Sequence, residues 1–276
     1  MPENKKFAVC LSFDFDAISL RIGSFKQVTP TEVSRGEFGA VGVARILDLL
    51  DKHQIKGTFF VPGHTAEVYP DLVLEIHKRG HEVAHHNYLH EVPFDLTLAQ
   101  ERKIIKKGVD ILEDLIGERP LGYRAPAWKP GWDTMKILLS EGFLYDSSMM
   151  ANDYLPYKIR VGDSYVRGNY RFGKQSSLIE VPVAWNLDDF PYFEHIPGYP
   201  GSGLRSGSDA LENWIGDFDY MRANVPGGVY SMAFHPQVTG RGHRMLVLEK
   251  LIEHLKLHDD VWFARTIDVV KACITG

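Results

Sequence analysis

Between Gly80 and His90 the chain reads Gly-His-Glu-Val-Ala-His-His-Asn-Tyr-Leu-His, which sets His81, His85, His86 and His90 beside one turn. Upstream, an apolar run ends in Ser-Phe-Asp-Phe-Asp, with carboxylates at Asp14 and Asp16. Imidazole and carboxylate together are the ligand set of a divalent transition metal. A second carboxylate beside such an ion is what a water-activating hydrolase requires. Spacing alone does not choose the ligands, because His81/His85, His86/His90 and His254/His258 are all four apart. The third pair has no carboxylate cluster with it and reads as a solvated helix face. If 82–85 is a strand, His81 and His85 point to one side, while His86 lies where the strand gives way to a turn. His86 with His90 is therefore the better placed pair.

Two further segments end in groups suited to the same chemistry. Tyr123-Arg-Ala-Pro-Ala-Trp128 follows an extended run and has Arg124 at its base, where a guanidinium holds a carboxylate ionised and oriented. Ser231-Met-Ala-Phe-His235-Pro236 ends in a histidine placed for general acid work. Each has a plain structural alternative: a helix cap for the aspartates, a surface guanidinium for Arg124, and a carbonyl-satisfied core imidazole for His235.

These residues need a scaffold that gathers strand ends. Apolar, β-branched runs alternate with helical periods, the pattern of βα units around a parallel sheet. Residues 7–13 read as the first strand, 41–50 as a helix with Val43, Ile46, Leu47 and Leu50 on one face, and 57–61 as the next strand. Residues 71–78 form a helix stopped by Gly80, and the capping box Thr97-Leu-Ala-Gln100 opens a helix running to about Gly117. Strands follow at 121–124, 143–145 and 178–183, with a helix at 134–141. The tail gives a helix at 211–223, a strand at 228–234, a helix at 245–257, a strand at 261–264 and a short closing helix.

About seven βα repeats with no Ser/Pro-rich linker predict one α/β domain over 1–276. The repeat number is close to that of a closed barrel, in which the C-terminal strand ends share one rim. Residues 152–174 and 190–208 are rich in Gly, Pro, Tyr and Asp and lack helical period, so loops are expected there. Their aromatics Tyr154, Tyr157, Tyr192 and Phe193, with Trp185, are expected to close a substrate pocket.

An apolar content of 44% is enough to fill a core. Thirty-one basic against 36 acidic residues give a net charge of −5, so nucleic acid and anionic lipid are not expected partners. The apolar run after Lys5 and Lys6 is broken by Asp14 and is too short for a secretory leader. No stretch approaches the roughly 18 apolar residues of a membrane span, and a cytoplasmic setting is expected. Cys10 and Cys273, at opposite ends and without a CxxC motif, are expected to be reduced, buried thiols.

Taken in order, the four strand ends resemble the motifs of the polysaccharide deacetylase family, the NodB-homology or carbohydrate esterase family 4 hydrolases. Ser12-Phe-Asp-Phe-Asp16 is similar to the first family motif, His86-Asn-Tyr-Leu-His90 to the second, Arg124-Ala-Pro126 to the third and Phe234-His235 to the last. The resemblance covers nearly the whole chain. It implies a distorted (β/α)7 barrel with a divalent metal held by Asp16, His86 and His90. The metal is zinc by preference, with cobalt, nickel or iron(II) as alternatives. The resemblance also implies Asp14 as general base, Arg124 orienting it and His235 as general acid. Phe15 separates aspartates that are adjacent in the common family motif, so the division of base and ligand between Asp14 and Asp16 stays open.

The Asp-x-Asp spacing, the Pro62-Gly-His64 turn and Pro182-Val-Ala-Trp185 are similar to a subgroup holding the Helicobacter-type peptidoglycan deacetylase homologue, cyclic imide hydrolases and metal-independent allantoinases. Several of these are tetramers, so a homo-oligomer is expected. Trp128, Trp185 and His64 are the residues expected to touch substrate. In the wider family a motif carrying Asp and Trp supports the catalytic histidine, and Trp185 with Asp188 or Asp189 is a loose counterpart.

By this resemblance the chain hydrolyses carbon–nitrogen bonds other than peptide bonds. Bound zinc lowers the pKa of its water from about 16 towards 7, Asp14 takes the proton, and His235 protonates the departing nitrogen. The expected substrate is an N-acetylated glycan or a small-molecule cyclic imide or ureide. Two other readings are a metal-independent amidohydrolase of the allantoinase type and a barrel that binds carbohydrate without catalysis. The intact set of acid, base and ligand residues argues against both.

Overall fold

Strand β1 (Phe7–Asp14) is buried along its whole length and alternates between two environments. Phe7, Val9, Leu11 and Phe13 pack outward against helices, while Ala8 and Cys10 face inward with Phe60, Ala84, Tyr145 and Val181. This period of two continues past the strand end, so Asp14 and Asp16 share the inner face. The computed structural model describes residues 1–197 and 202–275.

The other strands are β2 (Thr58–Val61), β3 (Glu82–His85), β4 (Gly122–Tyr123), β5 (Tyr145–Asp146), β6 (Tyr157–Val161), β7 (Ser164–Val166), β8 (Asn169–Arg171), β9 (Lys174–Glu180), β10 (Val229–Phe234) and β11 (Val261–Phe263). Parallel neighbours follow the order β10-β1-β2-β3-β4-β5-β9, antiparallel β6 flanks β9, and β11 pairs with the beginning of β1. Among the described residues, a single parallel bridge from Asp188 to Ala233 joins the β9 and β10 sides in place of a ladder. The result is a mixed α/β fold in which a curled sheet makes a distorted barrel with an open seam.

Most elements lie within a few residues of their predicted bounds, and the capping box at Thr97 and the left-handed Gly117 end the helix Leu98–Ile116 as expected. The helix predicted at 41–50 is longer and spans Pro30–His53, starting from a Thr29 cap that accepts the Glu32 N–H. Gly36, Gly39 and Gly42 hide its first half in the sequence, because glycine disfavours helix. They lie on its buried face, where a Cβ at Gly42 would come within 2.0 Å of the Pro236 carbonyl oxygen. Close approach to the site overrides propensity there.

The loop expected at 152–174 instead holds β6 and the hairpin β7–β8. Within the loop expected at 190–208, the helix Asp189–Phe193 covers the first residues, and 198–201 lie outside the described residues. Of the aromatics expected over the pocket, four pack into the protein instead. Tyr154 and Phe193 belong to the main core, Tyr192 meets Trp214 edge-on, and the Tyr157 hydroxyl accepts the Ala151 N–H. The thiol expectation is half corrected: Cys10 is buried, but Cys273 is exposed on the outer side of the closing helix Thr266–Thr275. No helix among the described residues is long and apolar enough to cross a membrane.

Two acids are buried on the outer face of the sheet, where Asp146 of β5 and Glu180 of β9 are register partners. Ser148 Oγ donates to Asp146 Oδ1, and the N–H groups of Ser148 and Met149 donate to Glu180 Oε1. Asp146 Oδ2 and Glu180 Oε2 receive no hydrogen bond from any other group, and two carboxyls buried side by side are expected to share one proton. Burial, together with the Asp146 charge, keeps that proton on Glu180, whose carboxyl is held well above its usual range. Glu180→Gln is therefore expected to change stability by less than ~0.5 kcal/mol, because an amide can donate where the acid did. Glu180→Ala leaves Asp146 and two N–H groups unmatched and is expected to cost about 3 kcal/mol. Denaturant unfolding of both variants measures the contrast, and equal losses would remove the shared proton.

Candidate active site

The inward positions of β1, β3, β4 and β10 extend past each strand end and bring Asp14, Asp16, His86, Arg124 and His235 to one rim. All five are buried. A cavity of about 170 Å³ opens onto them, lined by Asp14, His86, His90, Trp128, Trp185, Asp188 and His235 with Leu20, Phe25 and Phe190.

His90 lies beyond the strand and reaches the rim through an unusual backbone. Asn87 and His90 sit at φ +59° and +56°, a region costly for residues with a Cβ. The turn is held by Asn87 Nδ2 donating to the Glu91 carbonyl at 2.7 Å and Leu89 N–H donating to Glu91 Oε2 at 2.7 Å. Gly23 presses against it from the other side, where a Cβ would fall 1.5 Å from the Leu89 carbonyl oxygen. Gly23→Ala is expected to displace the His90 turn, cost ~3 kcal/mol and weaken metal retention. Thermal unfolding and metal analysis check this, and an unchanged melting temperature would contradict it.

Asp16 Oδ1 lies 3.5 Å from His86 Nε2 and 3.6 Å from His90 Nε2, and it receives no hydrogen bond. Its other oxygen accepts from Gln237 Nε2 at 3.2 Å. His86 Nδ1 donates to the Arg124 carbonyl at 2.7 Å. Ser24 Oγ gives its proton to the His90 carbonyl at 2.7 Å, so His90 Nδ1, 2.6 Å from the same Oγ, is the donor to it. Both Nε2 atoms therefore carry lone pairs aimed at an unpartnered carboxylate oxygen.

Burial holds both imidazoles neutral, well below their ordinary range, and pushes the Asp16 carboxyl up to about 8 in the protein alone. One donor atom from each of the three residues lies within 4.8 Å of the others. A carboxyl so raised keeps its proton when nothing else balances the charge, and a cation among the two imidazole lone pairs and the carboxylate takes that proton's place, so this donor set fits a divalent transition metal. The Nδ1 hydrogen bonds are the outer contacts that orient such ligands.

Asp14 stands apart from that group. Arg124 Nη1 donates to Asp14 Oδ1 at 2.6 Å, and Nε and Nη2 donate to the carbonyl and hydroxyl of Ser147 at 3.0 Å each. The guanidinium also lies 4.0 Å over the Phe60 ring, which leaves it one orientation. Asp14 Oδ2 faces His235 Nε2 at 3.9 Å.

His235 is held from behind: Nδ1 lies 2.8 Å from Asp189 Oδ1, and Asp189 also accepts the His235 backbone N–H at 3.0 Å and the Thr239 hydroxyl. Burial alone would lower the imidazole pKa. The charge of Asp188, then the hydrogen bond and charge of Asp189, outweigh burial and hold it well above the ordinary range.

The remaining sequence candidates separate. Trp128 and Trp185 both line the cavity, with ring centroids 4.4 Å apart. His64 is not among the residues lining this cavity. Its Nδ1 donates to Ser19 Oγ, which donates to Thr65 Oγ1, which donates to the Asp16 carbonyl, so it braces the strand end from outside. His85 points outward as its parity predicts, donating Nε2–H to the Ile105 carbonyl at 3.0 Å. Gln237, Ser24 and Thr239 were not foreseen. A glutamine two places after His235 is their one faint sequence signal.

The polysaccharide deacetylase family profile matches residues 36–143. A peptidoglycan deacetylase of Helicobacter pylori is 38% identical over 271 residues, covering 93% of this chain and 92% of its own. A peptidoglycan deacetylase-like protein of Gibberella zeae is 31% identical, covering 93% of this chain and 83% of its own. Among solved structures, a candidate polysaccharide deacetylase from Mycobacterium smegmatis superposes with a TM-score of 0.87 at 37% identity, over all of this chain and 92% of that one. The Puue allantoinase superposes with a TM-score of 0.81 at 25% identity, over 98% of this chain and 91% of that one.

Proposed function

Because the chain belongs to the polysaccharide deacetylase family, hydrolases of carbon–nitrogen bonds other than peptide bonds, we propose that it deacetylates an N-acetylated glycan with a divalent metal, zinc by preference. The observation that carries this reading is the meeting of three parts at one cavity: lone-pair donors, an arginine-held carboxylate and a carboxylate-held imidazolium. When bound, the metal supplies Lewis acidity towards water and the amide oxygen.

Asp16, His86 and His90 hold the metal. Asp14 accepts the proton of the attacking water at Oδ2, since Oδ1 is committed to Arg124. His235 gives its Nε2 proton to the departing nitrogen, and Asp189 keeps the ring turned that way. Trp128, Trp185, Phe25 and Phe190 exclude solvent from the reacting centre.

At about 170 Å³ the cavity is well below the roughly 300 Å³ at which drug-sized ligand pockets begin. In this reading the acetyl group enters and the sugar lies across the half-exposed Trp185. The name of the Helicobacter pylori relative supports the glycan. A second reading, a small cyclic imide or ureide turned over in the cytoplasm, is favoured by the same small apolar cavity and by the likeness to the allantoinase.

Assay of metal-replete protein on N-acetylglucosamine oligomers, succinimide, dihydrouracil and allantoin separates them. Turnover of the oligomers, lost to a chelator and restored by zinc, is the expected result. Turnover confined to the ring amides favours the second reading, and none in any column ends both. Activity that survives complete metal removal would end the metal dependence.

A further inference from the structure

Far from the rim, beside the N-terminal end of β1, a second group of imidazole and carboxylate side chains faces one point. His254 lies in the last turn of the helix Gly242–Leu255, His258 in the turn leading to β11, and Asp219 on the helix Gly207–Asn224. One donor atom from each lies within 4.8 Å of the other two. His254 Nε2 is 3.3 Å from Asp219 Oδ1. The two imidazole rings are 5.6 Å apart and both rest against Phe218, at 6.0 and 5.4 Å, which sets their planes.

His258 Nε2 is shielded from solvent and has no hydrogen-bond partner. The neighbouring Arg222 is engaged with Asp260 at 3.1 Å, and the Asp219 charge is left to the imidazoles. The four-residue spacing is not helical either: the helix ends at Leu255, and the following turn brings His258 back over Phe218. Of the solvated helix face expected for this pair, the exposure holds in part, but His258 lies beyond the helix and a carboxylate accompanies the two imidazoles.

We propose that Asp219, His254 and His258 form a second transition-metal site, taking Zn²⁺ or Ni²⁺ with solvent completing the shell. Binding uses the neutral His254 tautomer with its proton on Nδ1 and the lone pair on Nε2, exchanged through solvent with no net proton release, and ties two helices to the segment entering β11. The site is independent of the rim and shares no residue with it.

Equilibrium dialysis of the full chain against zinc, with elemental analysis, tests this. The wild type is expected to retain about two ions per chain and His254→Ala/His258→Ala about one, as is His86→Ala/His90→Ala. In the rim double variant, zinc is expected to raise the melting temperature by ~5 °C, and adding His254→Ala/His258→Ala is expected to abolish that rise. The proposal fails if His254→Ala/His258→Ala keeps the wild-type zinc content, or if the folded rim double variant binds no zinc.

Discussion

Asp14→Asn is expected to leave the metal in place and lower turnover about 10³-fold, whereas His86→Ala is expected to lose metal and turnover together. The asparagine keeps the size of the side chain and an oxygen for Arg124 Nη1, so the ion pair becomes a hydrogen bond from the guanidinium cation to a neutral amide oxygen. What disappears is the basic oxygen facing the cavity, and proton transfer by a placed side chain is worth about 10²–10⁴ in rate. His86 acts elsewhere: its Nε2 is one of the lone pairs around Asp16 Oδ1, and alanine removes one of the three proposed ligands. Kinetics beside elemental analysis of both variants distinguish the roles. An Asp14→Asn protein that sheds its metal, or one that turns over normally, would reverse the division of labour between Asp14 and Asp16.

Asp189→Asn is expected to lower kcat by 10³-fold or more, on the scale of amidating the carboxylate behind a catalytic histidine. Asp189 holds both the ring and the backbone of His235. An amide there presents an N–H to Nδ1 and loses the negative charge. The sign of the pH effect follows from that charge. The neighbouring carboxylates raise the His235 pKa, and in the proposed mechanism the acid is the protonated form, present below that pKa. Removing one carboxylate lowers the pKa, so the alkaline limb of the kcat profile moves to lower pH while metal content stays unchanged. A profile that keeps its limb in place would show that Asp189 does not set the charge on His235.

Much of this arrangement was legible because it rests on parity. A strand of period two puts Asp14 and Asp16 on one face, and the same rule sends His86 inward and His85 outward to the Ile105 carbonyl. The capping box at Thr97 was legible because its hydrogen bonds are local. What stayed hidden depends on contacts far apart in sequence. Gly36, Gly39 and Gly42 read as helix breakers until Pro236 is seen lying against Gly42. Asp188 and Asp189 are adjacent acids, and their difference appears only when His235, 46 residues away, bonds to one of them. The aromatics of 152–193 carry no mark of which side they face: Tyr154 and Phe193 turn to the core, while Trp185 and Phe190 line the cavity.

The gap between β9 and β10 gives the two halves of the cavity different mechanical support. Asp14, Asp16 and His86 extend from strands knitted into a continuous ladder, whereas Trp185, Asp189 and Phe190 sit beside a lone Asp188–Ala233 bridge. Local opening is easiest where backbone pairing is sparse. If a bulky guest has to be admitted, the tryptophan side is the one expected to yield, while the wall that carries Asp16 and His86 is held by its ladder, so the pocket is built as a jaw with one fixed member.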